Sequence, residues 1–280
     1  MIVFSNISET SSYIKHQKVK GSSIGFVPTM GALHKGHLDL MKQAKQENDI
    51  LVVSIFVNPI QFNKSEDLEK YPRNLEADML LLEEIGCDIL FSPSVAEMYP
   101  EKVTKVYNFG LLETVMEGKS RPGHFNGVAV VVSKLFDIVL PDKAYFGEKD
   151  FQQLSIIKKL VEIDKIPVEI IPCPTTREDD GLAMSSRNLR LTIAERTAAP
   201  FIYQTLKYAK SICTTTSVTE LSQIITNIFS TKEGFDLEYF ELADDINLQP
   251  INSWKSGVGI RAFVVVNLGK VRLIDNIRII

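Results

Sequence analysis

One nearly continuous apolar segment, Ile50 to Val57, limits the possible folds of this chain more than any other stretch. It reads ILVVSIFV, and its β-branched residues do not alternate with polar ones. Such runs are typical of strands that are covered on both faces, as in the middle of a parallel sheet. The segment ends at Asn58-Pro59, a dipeptide that breaks regular structure. We therefore expect a central parallel strand here.

Further apolar runs alternate with segments of helical periodicity over residues 1–171. The predicted strands cover residues 22–29, 50–57, 88–92, 143–146 and 168–171. The predicted helices cover residues 8–17, 36–47, 74–85, 128–140 and 151–163. This alternation predicts an α/β fold with a Rossmann-like, doubly wound parallel sheet.

The chain changes character after the break at Pro172-Cys-Pro174. A Thr192/Glu195 capping box opens a predicted long helix over 192–214, and a second helix is expected over 218–229. Alternating patterns then predict half-exposed antiparallel strands over 235–242, 259–268 and 270–274, with a hairpin turn at Asn267 to Lys270. We expect a Rossmann-like domain over 1–175 and a smaller C-terminal α+β domain over 176–280.

Composition narrows the class of protein. The 280 residues are 45% hydrophobic and carry a net charge of −4, so no basic face for nucleic acid is indicated. Cys87, Cys173 and Cys213 fit no zinc or redox spacing and are expected to be buried thiols in a reducing compartment. The first residues lack the pattern of a signal peptide, and no apolar run is long enough to cross a bilayer. These features predict a cytoplasmic protein.

Two of the four histidines lie in the turn that follows the first core strand. This turn, within Phe26 to His37, contains Gly31, Ala32 and Gly36, and His34 and His37 are spaced to share one side of the next helix. A strand that enters a helix through small residues presents backbone N–H groups and a helix dipole, which favour a phosphate. The simpler alternative is a tight turn with surface histidines.

Other polar residues follow the predicted strands, where ligands bind to open α/β sheets. Gln61 follows the second strand, Lys149 and Asp150 follow the fourth, and Gln153 lies one turn into the next helix. The glutamines can hold hydroxyls or a carboxylate, and the lysine suits phosphate. Alternatively, Lys149 is a solvated turn residue and Asp150 is a helix N-cap.

Two loops offer further candidates with open alternatives. Ser185, Ser186 and Arg187 lie in a loop of small residues and could clamp a phosphate, or could form a flexible connector. Arg121 and His124 lie in or beside a basic loop over 118–123, where function and simple solvation are equally good explanations.

Several strings together resemble one family. His34-Lys-Gly-His37 with Met184-Ser-Ser-Arg187 resembles the HxGH and KMSKS signatures of adenylyl-transferring enzymes. More specific strings make the whole chain similar to the pantothenate synthetase (pantoate–β-alanine ligase) family: PTMGALHKGH from Pro28, VNPIQF from Val57, YPR from Tyr71, RPGHF from Arg121, FGEKDFQQ from Phe146, GLAMSSRN from Gly181 and VRLIDN from Val271.

The resemblance implies a two-step amide ligase. The carboxylate of (R)-pantoate attacks the α-phosphorus of ATP, which gives pantoyl adenylate and pyrophosphate. The amine of β-alanine then displaces AMP and forms pantothenate. The same resemblance implies His37 as a catalytic proton donor, with His34 and Lys149 beside the phosphates. It also implies that Gln61 and Gln153 bind pantoate and that Gln61 contacts β-alanine.

The remaining roles are also implied by the resemblance. Asp78 matches an acidic position associated with Mg²⁺, and residues 176–280 are expected to act as a lid in a homodimeric enzyme. Thr176 matches a position that contacts adenine through its backbone. The implied ATP-binding residues are Met30, Gly31, Ala32, Leu33, His34, Lys35, Gly36, His37, Gly147, Glu148, Lys149, Asp150, Thr176, Met184, Ser185, Ser186 and Arg187.

Two other functions remain possible from the residues. A nucleotidyltransferase would join AMP to a phosphorylated substrate and stop there, although the two glutamines favour a hydroxy acid. A non-catalytic nucleotide-binding regulator would release no pyrophosphate. The dependence of AMP release on β-alanine separates these alternatives from a ligase.

Overall fold

The computed structural model describes residues 1–63, 65–254 and 256–280. Within these residues the chain divides into two compact units. The first unit comprises 1–109, 121–148 and 153–174, and the second comprises 110–120, 149–152 and 175–280. The longest segment of the second unit begins after Pro174, and segments 110–120 and 149–152 also belong to this unit.

The regular elements follow the chain in this order. The strands are β1 (Ile2–Phe4), β2 (Ile24–Thr29), β3 (Ile50–Ile55), β4 (Ile89–Phe91), β5 (Lys143–Gly147), β6 (Glu169–Cys173), β7 (Phe235–Asp244), β8 (Ile260–Leu268) and β9 (Val271–Arg278). The helices are α1 (Ile7–Val19), α2 (Lys35–Glu47), α3 (Ser65–Glu69), α4 (Leu75–Glu84), α5 (Val95–Met98), α6 (Met116–Ser120), α7 (His124–Val139), α8 (Phe151–Asp164), α9 (Ile193–Ala198), α10 (Phe201–Ile212) and α11 (Val218–Ser230).

The first unit contains a six-stranded parallel sheet in the order β1-β4-β3-β2-β5-β6, which confirms the predicted doubly wound fold. β3 lies between β2 and β4, and Leu51, Val52 and Val53 are fully buried, as the apolar run predicted. The edge strand β1 was not predicted. Three residues give too short a pattern for a periodicity argument.

The second unit contains an antiparallel sheet in the order β7-β8-β9. The hairpin is confirmed, since β8 and β9 are joined by Gly269-Lys270 and Gly269 has a φ of 57°. The expected half-exposed pattern is wrong for β8, which is buried almost throughout. Ala262, Val264 and Val266 pack into a core with α10 and α11, while Phe263 packs with Met116, Leu248 and partly buried Phe151.

The predicted long helix over 192–214 is also wrong. The structure has two helices, α9 and α10, and Pro200 separates them. Proline lacks the N–H that a continuous helix needs, and its ring clashes with the preceding turn. The capping box is confirmed: Glu195 N donates to Thr192 Oγ1 and Thr192 N donates to Glu195 Oε2.

All three cysteines are buried, as expected. Burial raises the pKa of the Cys87 thiol to about 12 and that of Cys173 to about 11. Within the part of the chain that the structure describes, no helix is long and apolar enough to span a membrane.

Candidate active site

The turn between β2 and α2 is held by side-chain hydrogen bonds. Thr29 Oγ1 donates to Ser54 O on β3 over 2.8 Å and accepts from Gly31 N over 3.2 Å. Gly31 and Ala32 have φ values of 80° and 51°. An L-residue in the left-handed region costs roughly 1–2 kcal/mol, so Ala32 needs compensating contacts.

Asp78 on α4 supplies these contacts. Its side chain is buried, with a residue exposure of 3%, and Oδ2 accepts from Ala32 N over 2.9 Å while Oδ1 accepts from Leu33 N over 2.7 Å. The backbone N–H groups of Gly31, Ala32 and Leu33 are therefore engaged within the protein, whereas the sequence had suggested a turn with N–H groups open to a phosphate. Local sequence could not show this, because the acceptor for Ala32 and Leu33 comes from a separate helix.

The predicted shared side of His34 and His37 is confirmed. His34 is the N-cap of α2, and the two imidazole rings stack with centroids 4.0 Å apart and planes 30° apart. His34 N donates to His37 Nδ1 over 3.4 Å. When His37 is neutral, this contact favours the tautomer with the proton on Nε2, because Nδ1 acts as the acceptor.

Gln61 is buried at the end of a short 3₁₀ turn, Pro59–Gln61. Its Oε1 accepts from Asn58 Nδ2 over 3.1 Å, and its Nε2 lies 3.1 Å from Met30 Sδ. Asn58 is oriented in turn by the Tyr99 hydroxyl, which donates to Asn58 Oδ1 over 2.8 Å. The Gln61 amide is therefore fixed with Nε2 beside Met30. Met30 lies in the turn between β2 and α2, residues 30–34, which we call the histidine turn.

The backbone of Gln61 is also fixed. His124 Nδ1 lies 2.8 Å from Gln61 O, and His124 is buried as the first residue of α7 rather than solvated on a loop. Gly127 allows the close approach of α7, since a Cβ there would lie 2.5 Å from Ile60 O. Arg121 lies in the turn just before α7, and His124 N donates to Arg121 O.

A cavity of about 330 Å³ opens at the carboxyl ends of β2, β3 and β4. This is the edge where open α/β sheets bind ligands, and the volume suits a small ligand. Met30 and Gly31 of the histidine turn contribute to its wall. The other lining residues are Ile55, Phe56, Val57, Pro59, Leu68, Arg73, Asn74, Leu75, Asp78, Ser92, Pro93, Ser94 and Val95.

In the second unit, the backbone of Lys149 is held by a residue of the last strand, β9. Asn276 Nδ2 on β9 donates to Lys149 O over 2.9 Å, and Arg261 donates to Asn276 Oδ1 over 2.6 Å. The Arg261 guanidinium also stacks 3.8 Å from the Phe151 ring centroid. Asp150 lies in the 3₁₀ turn Glu148–Asp150, which leads directly into α8, and its Oδ2 lies 3.7 Å from Lys149 Nζ.

The loop with the KMSKS-like string folds back on itself. Met184 N donates to Thr176 O over 3.0 Å, so these two predicted nucleotide residues lie on one hairpin. Ser185 Oγ accepts from Arg187 N over 3.3 Å at the start of the 3₁₀ turn Ser186–Arg190. The hairpin is tied to β9, because Arg177 forms a bidentate ion pair with Asp275 at 2.6 and 2.9 Å.

The second unit also brings together residues that are far apart in sequence. Lys149, Ser185 and Arg187 line one small crevice together with Arg272, whose guanidinium is paired with Glu117 and Glu238. The remaining lining residues are Leu182, Ala183, Asn188, Ile202, Leu273, Ile274 and Asp275. The sequence predicted Lys149 at a strand end, and it predicted Ser185 and Arg187 together in one loop. The fold brings these three side chains to one crevice, and their common anion-binding role stays a prediction.

Several structural partners were missed by the sequence prediction. Asn58 and Asn276 contact the predicted residues Gln61 and Lys149, Tyr99 orients Asn58, and Asp275 ties the hairpin of Met184 to β9 through Arg177, yet none was proposed for the site. The quoted strings VNPIQF and VRLIDN contain Asn58, Asp275 and Asn276, so they were the available signal. Gln153 lies half-buried in the first turn of α8, and its role stays a prediction.

The fold and these groups of residues define a nucleotide-using α/β enzyme of the HxGH type. A family profile described as pantoate-β-alanine ligase matches residues 2–278. A pantothenate synthetase of Bacteroides thetaiotaomicron is 48% identical over 278 residues, with 99% of each chain covered. One from Christiangramia forsetii is 52% identical over 265 residues, covering 93% of this chain and 94% of the relative.

Solved structures give the same result. A pantothenate synthetase from Thermus thermophilus matches with a TM-score of 0.92 at 42% identity, covering 100% of this chain and 99% of its own. A pantoate-β-alanine ligase from Francisella tularensis, in complex with β,γ-ATP and β-alanine, matches with a TM-score of 0.83 at 41% identity, covering 100% and 98%. The chain belongs to the pantoate-β-alanine ligase family and is an enzyme. The family reaction is the ATP-dependent condensation of pantoate with β-alanine.

Proposed function

We propose that this chain forms pantothenate from (R)-pantoate, β-alanine and ATP, with the stacked His34–His37 pair acting at the phosphates. In the first step a pantoate carboxylate oxygen bonds to the α-phosphorus as the bond to pyrophosphate breaks. In the second step the β-alanine nitrogen bonds to the acyl carbon, AMP leaves and the amine loses a proton. The oriented histidine pair is the observation that carries this proposal.

His37 acts as the proton donor of the first step. With Nδ1 engaged by His34 N, the Nε2–H is the group that can donate to a phosphate oxygen. Negative charge develops on the phosphate oxygens as pyrophosphate leaves, and a donor already in place stabilises it without reorganisation. One such donor is typically worth roughly 3 kcal/mol of barrier.

Gln61 and Gln153 bind pantoate, and Gln61 also contacts β-alanine. The contact partner of Gln61 Nε2 is a thioether, which is a weak acceptor, so this nitrogen keeps donor capacity for a hydroxyl or carboxylate. Tyr99 and Asn58 fix which end of the amide points that way. A donor oriented in advance lowers the entropy cost of binding the acid.

ATP contacts are assigned in each unit. Residues 30–37 of the first unit and residues 147–150, 176 and 184–187 contribute, with Lys149 and Arg187 as the cations for phosphate oxygens. Asn276 supports Lys149 through its backbone carbonyl. Ser185 and Ser186 add hydroxyl donors, and closure of residues 176–280 as a lid would exclude water from the acyl adenylate.

Mg²⁺ was expected at Asp78, but the residues do not fit this role. Both Asp78 oxygens accept backbone amides, and the side chain is buried. Over residues 1–63, 65–254 and 256–280, no three His, Cys, Asp or Glu side chains lie together as a metal site. Mg²⁺ commonly binds through substrate phosphates with few protein ligands, so we propose it as a companion of ATP.

A cytoplasmic homodimer is proposed on the family resemblance, and light scattering on the purified protein would measure the oligomeric state. The catalytic proposal is tested by following pyrophosphate and AMP with ATP, Mg²⁺ and pantoate, with and without β-alanine. We expect pyrophosphate in both reactions and stoichiometric free AMP only with β-alanine. If AMP stays attached to the product both with and without β-alanine, the result would favour a nucleotidyltransferase. No pyrophosphate would favour a nucleotide-binding regulator.

A further inference from the structure

The carboxylate of Asp78 is buried beside the histidine turn. It reaches from α4 to two consecutive amides, Ala32 N and Leu33 N, one for each oxygen. We propose that Asp78 is a positioning residue that sets the geometry of His34 and His37, and that it is not a Mg²⁺ ligand. This proposal rests on the proposed function of the histidine pair.

The chemistry of the contact requires a carboxylate. Both partners of Asp78 are N–H donors, so both terminal atoms of its side chain must be acceptors. Only an ionised Asp or Glu offers two acceptor oxygens, whereas Asn would turn an NH₂ group toward one of the amides. Hydrogen bonds to an ionised acceptor are also stronger than neutral ones.

The surrounding backbone is built for this approach. Gly31 has a φ of 80°, and a Cβ at this position would lie 2.9 Å from Asp78 Oδ2. Ala32 is held at a φ of 51°, a conformation that L-residues adopt rarely. Glycine at 31 therefore makes room for the carboxylate, and the carboxylate in turn holds Ala32 in its left-handed conformation.

The contact is connected to the catalytic histidines by the chain itself. Leu33, held by Asp78 Oδ1, directly precedes His34, the N-cap of α2. His34 N donates to His37 Nδ1, which selects the His37 tautomer. A loss of the Asp78 contacts would free residues 32 and 33 and so weaken the placement of the His34 amide.

The same geometry disagrees with a metal ligand. Mg²⁺ demands near-ideal octahedral oxygen coordination and usually keeps several waters. Asp78 is only 3% exposed and each of its oxygens already accepts an amide. The negative charge of Asp78 is stabilised by the backbone N–H groups of Ala32 and Leu33, which both donate to it.

The test compares Asp78→Asn with Glu84→Gln, which removes a charge from an exposed position of the same helix. Amide hydrogen exchange is measured in the ligand-free enzymes. We expect exchange at Ala32 and Leu33 to accelerate roughly tenfold or more in Asp78→Asn and to stay unchanged in Glu84→Gln. Unchanged protection at both amides in folded Asp78→Asn would overturn the proposal.

A second readout is specific to the histidines. Long-range ¹H–¹⁵N spectra of the imidazole rings report the tautomer, and general destabilisation does not change the tautomer of the folded molecules. We expect neutral His37 to be the Nε2–H form in wild type and in Glu84→Gln, with a larger Nδ1–H fraction in Asp78→Asn. The same tautomer in all three proteins would contradict the positioning role.

The metal alternative is tested on wild type, so the result does not depend on whether Asp78→Asn folds. Mn²⁺ alone is added as a paramagnetic probe, and we expect no selective broadening of the Ala32 and Leu33 amide signals. Selective broadening there would overturn the proposal. Since these readouts need no substrate, they stand apart from the assay of pyrophosphate and AMP, whose failure would reject the proposed function instead.

Discussion

The Tyr99 hydroxyl donates to Asn58 Oδ1 over 2.8 Å, and this contact determines which way the buried Asn58 amide points. Asn58 Nδ2 is thereby directed at Gly127 O and Gln61 Oε1, at 3.0 and 3.1 Å. Tyr99 therefore fixes, through Asn58, the orientation of the Gln61 amide that we propose to bind pantoate.

Tyr99→Phe should weaken pantoate binding without removing any proposed substrate contact. The substitution leaves Asn58 Oδ1 unsatisfied in a buried place, which costs about 1–3 kcal/mol of stability and frees the amide to turn. We expect the KM for pantoate to rise several-fold while the KM for ATP stays unchanged. Tyr208→Phe, at an exposed position of α10, is the matched control. Equal KM values for pantoate in both variants would reject the orienting role.

His37→Ala should lower the rate of pyrophosphate release by about a hundredfold or more, because it removes a donor to the reacting phosphate. The assay uses ATP, Mg²⁺ and pantoate without β-alanine, so that only the first step is observed. His16→Ala, at an exposed position of α1, controls for the loss of an imidazole. Near wild-type release from His37→Ala would contradict its assignment as proton donor.

Asn276→Ala should raise the KM for ATP by roughly tenfold, since a lost support of the Lys149 backbone is worth about 1–3 kcal/mol. The variant removes both the donor to Lys149 O and the acceptor of Arg261. Asn267→Ala, on the neighbouring strand β8, is the control and removes an amide that donates to the exposed Asp236. The KM for ATP of the two variants is measured by steady-state kinetics at varied ATP concentration. Equal KM values would show that Lys149 needs no such support.

Glu238 should make the second unit more stable above its unfolded-state pKa. The Arg272 side chain donates to this carboxylate and holds the pKa of Glu238 below its usual value of about 4.3. Because the folded-state pKa is depressed, the stabilisation is present above pH ~4.3 and is lost as pH falls through the lower folded-state value.

The measurement is the thermal midpoint of wild type and Glu238→Gln between pH 3 and pH 7. At pH 7 we expect the variant to be less stable by on the order of 1 kcal/mol, as for a partly exposed pair. The difference should shrink toward pH 3. Glu233→Gln, which is exposed before β7, should show no such trend. A pH-independent difference for Glu238→Gln would contradict the ion-pair explanation.

The cysteines should resist alkylation in the folded enzyme. Burial raises the pKa of Cys87 to about 12 and of Cys173 to about 11, so little reactive thiolate exists at pH 8, and Cys213 is buried as well. Iodoacetamide labelling followed by mass spectrometry should give slow modification in buffer and rapid modification of all three in urea. Rapid labelling of the native protein would indicate that a thiol is accessible.

The fold could be predicted to a large extent because its signals are local. The apolar run at Ile50, the alternation of strands and helices, and the capping box at Thr192 each depend on neighbours within one or two turns. The exceptions are also instructive. Pro200 is visible in the sequence and should have divided the predicted helix, whereas burial of β8 on both faces depends on segments such as residues 110–120 that pack there only after folding.

The amino-acid sequence by itself determined the doubly wound sheet, the two histidines at its binding edge and the family to which the chain is similar. Only the tertiary structure decided which groups position the candidate site residues. Asp78 accepts hydrogen bonds from two amides of the histidine turn, Tyr99 and Asn58 orient Gln61, and Asn276 donates to the Lys149 carbonyl. The reason is physical. Periodicity encodes which face of an element is buried, but a buried donor is satisfied by whichever acceptor the packing brings within 3 Å, and that partner has no fixed spacing in the sequence.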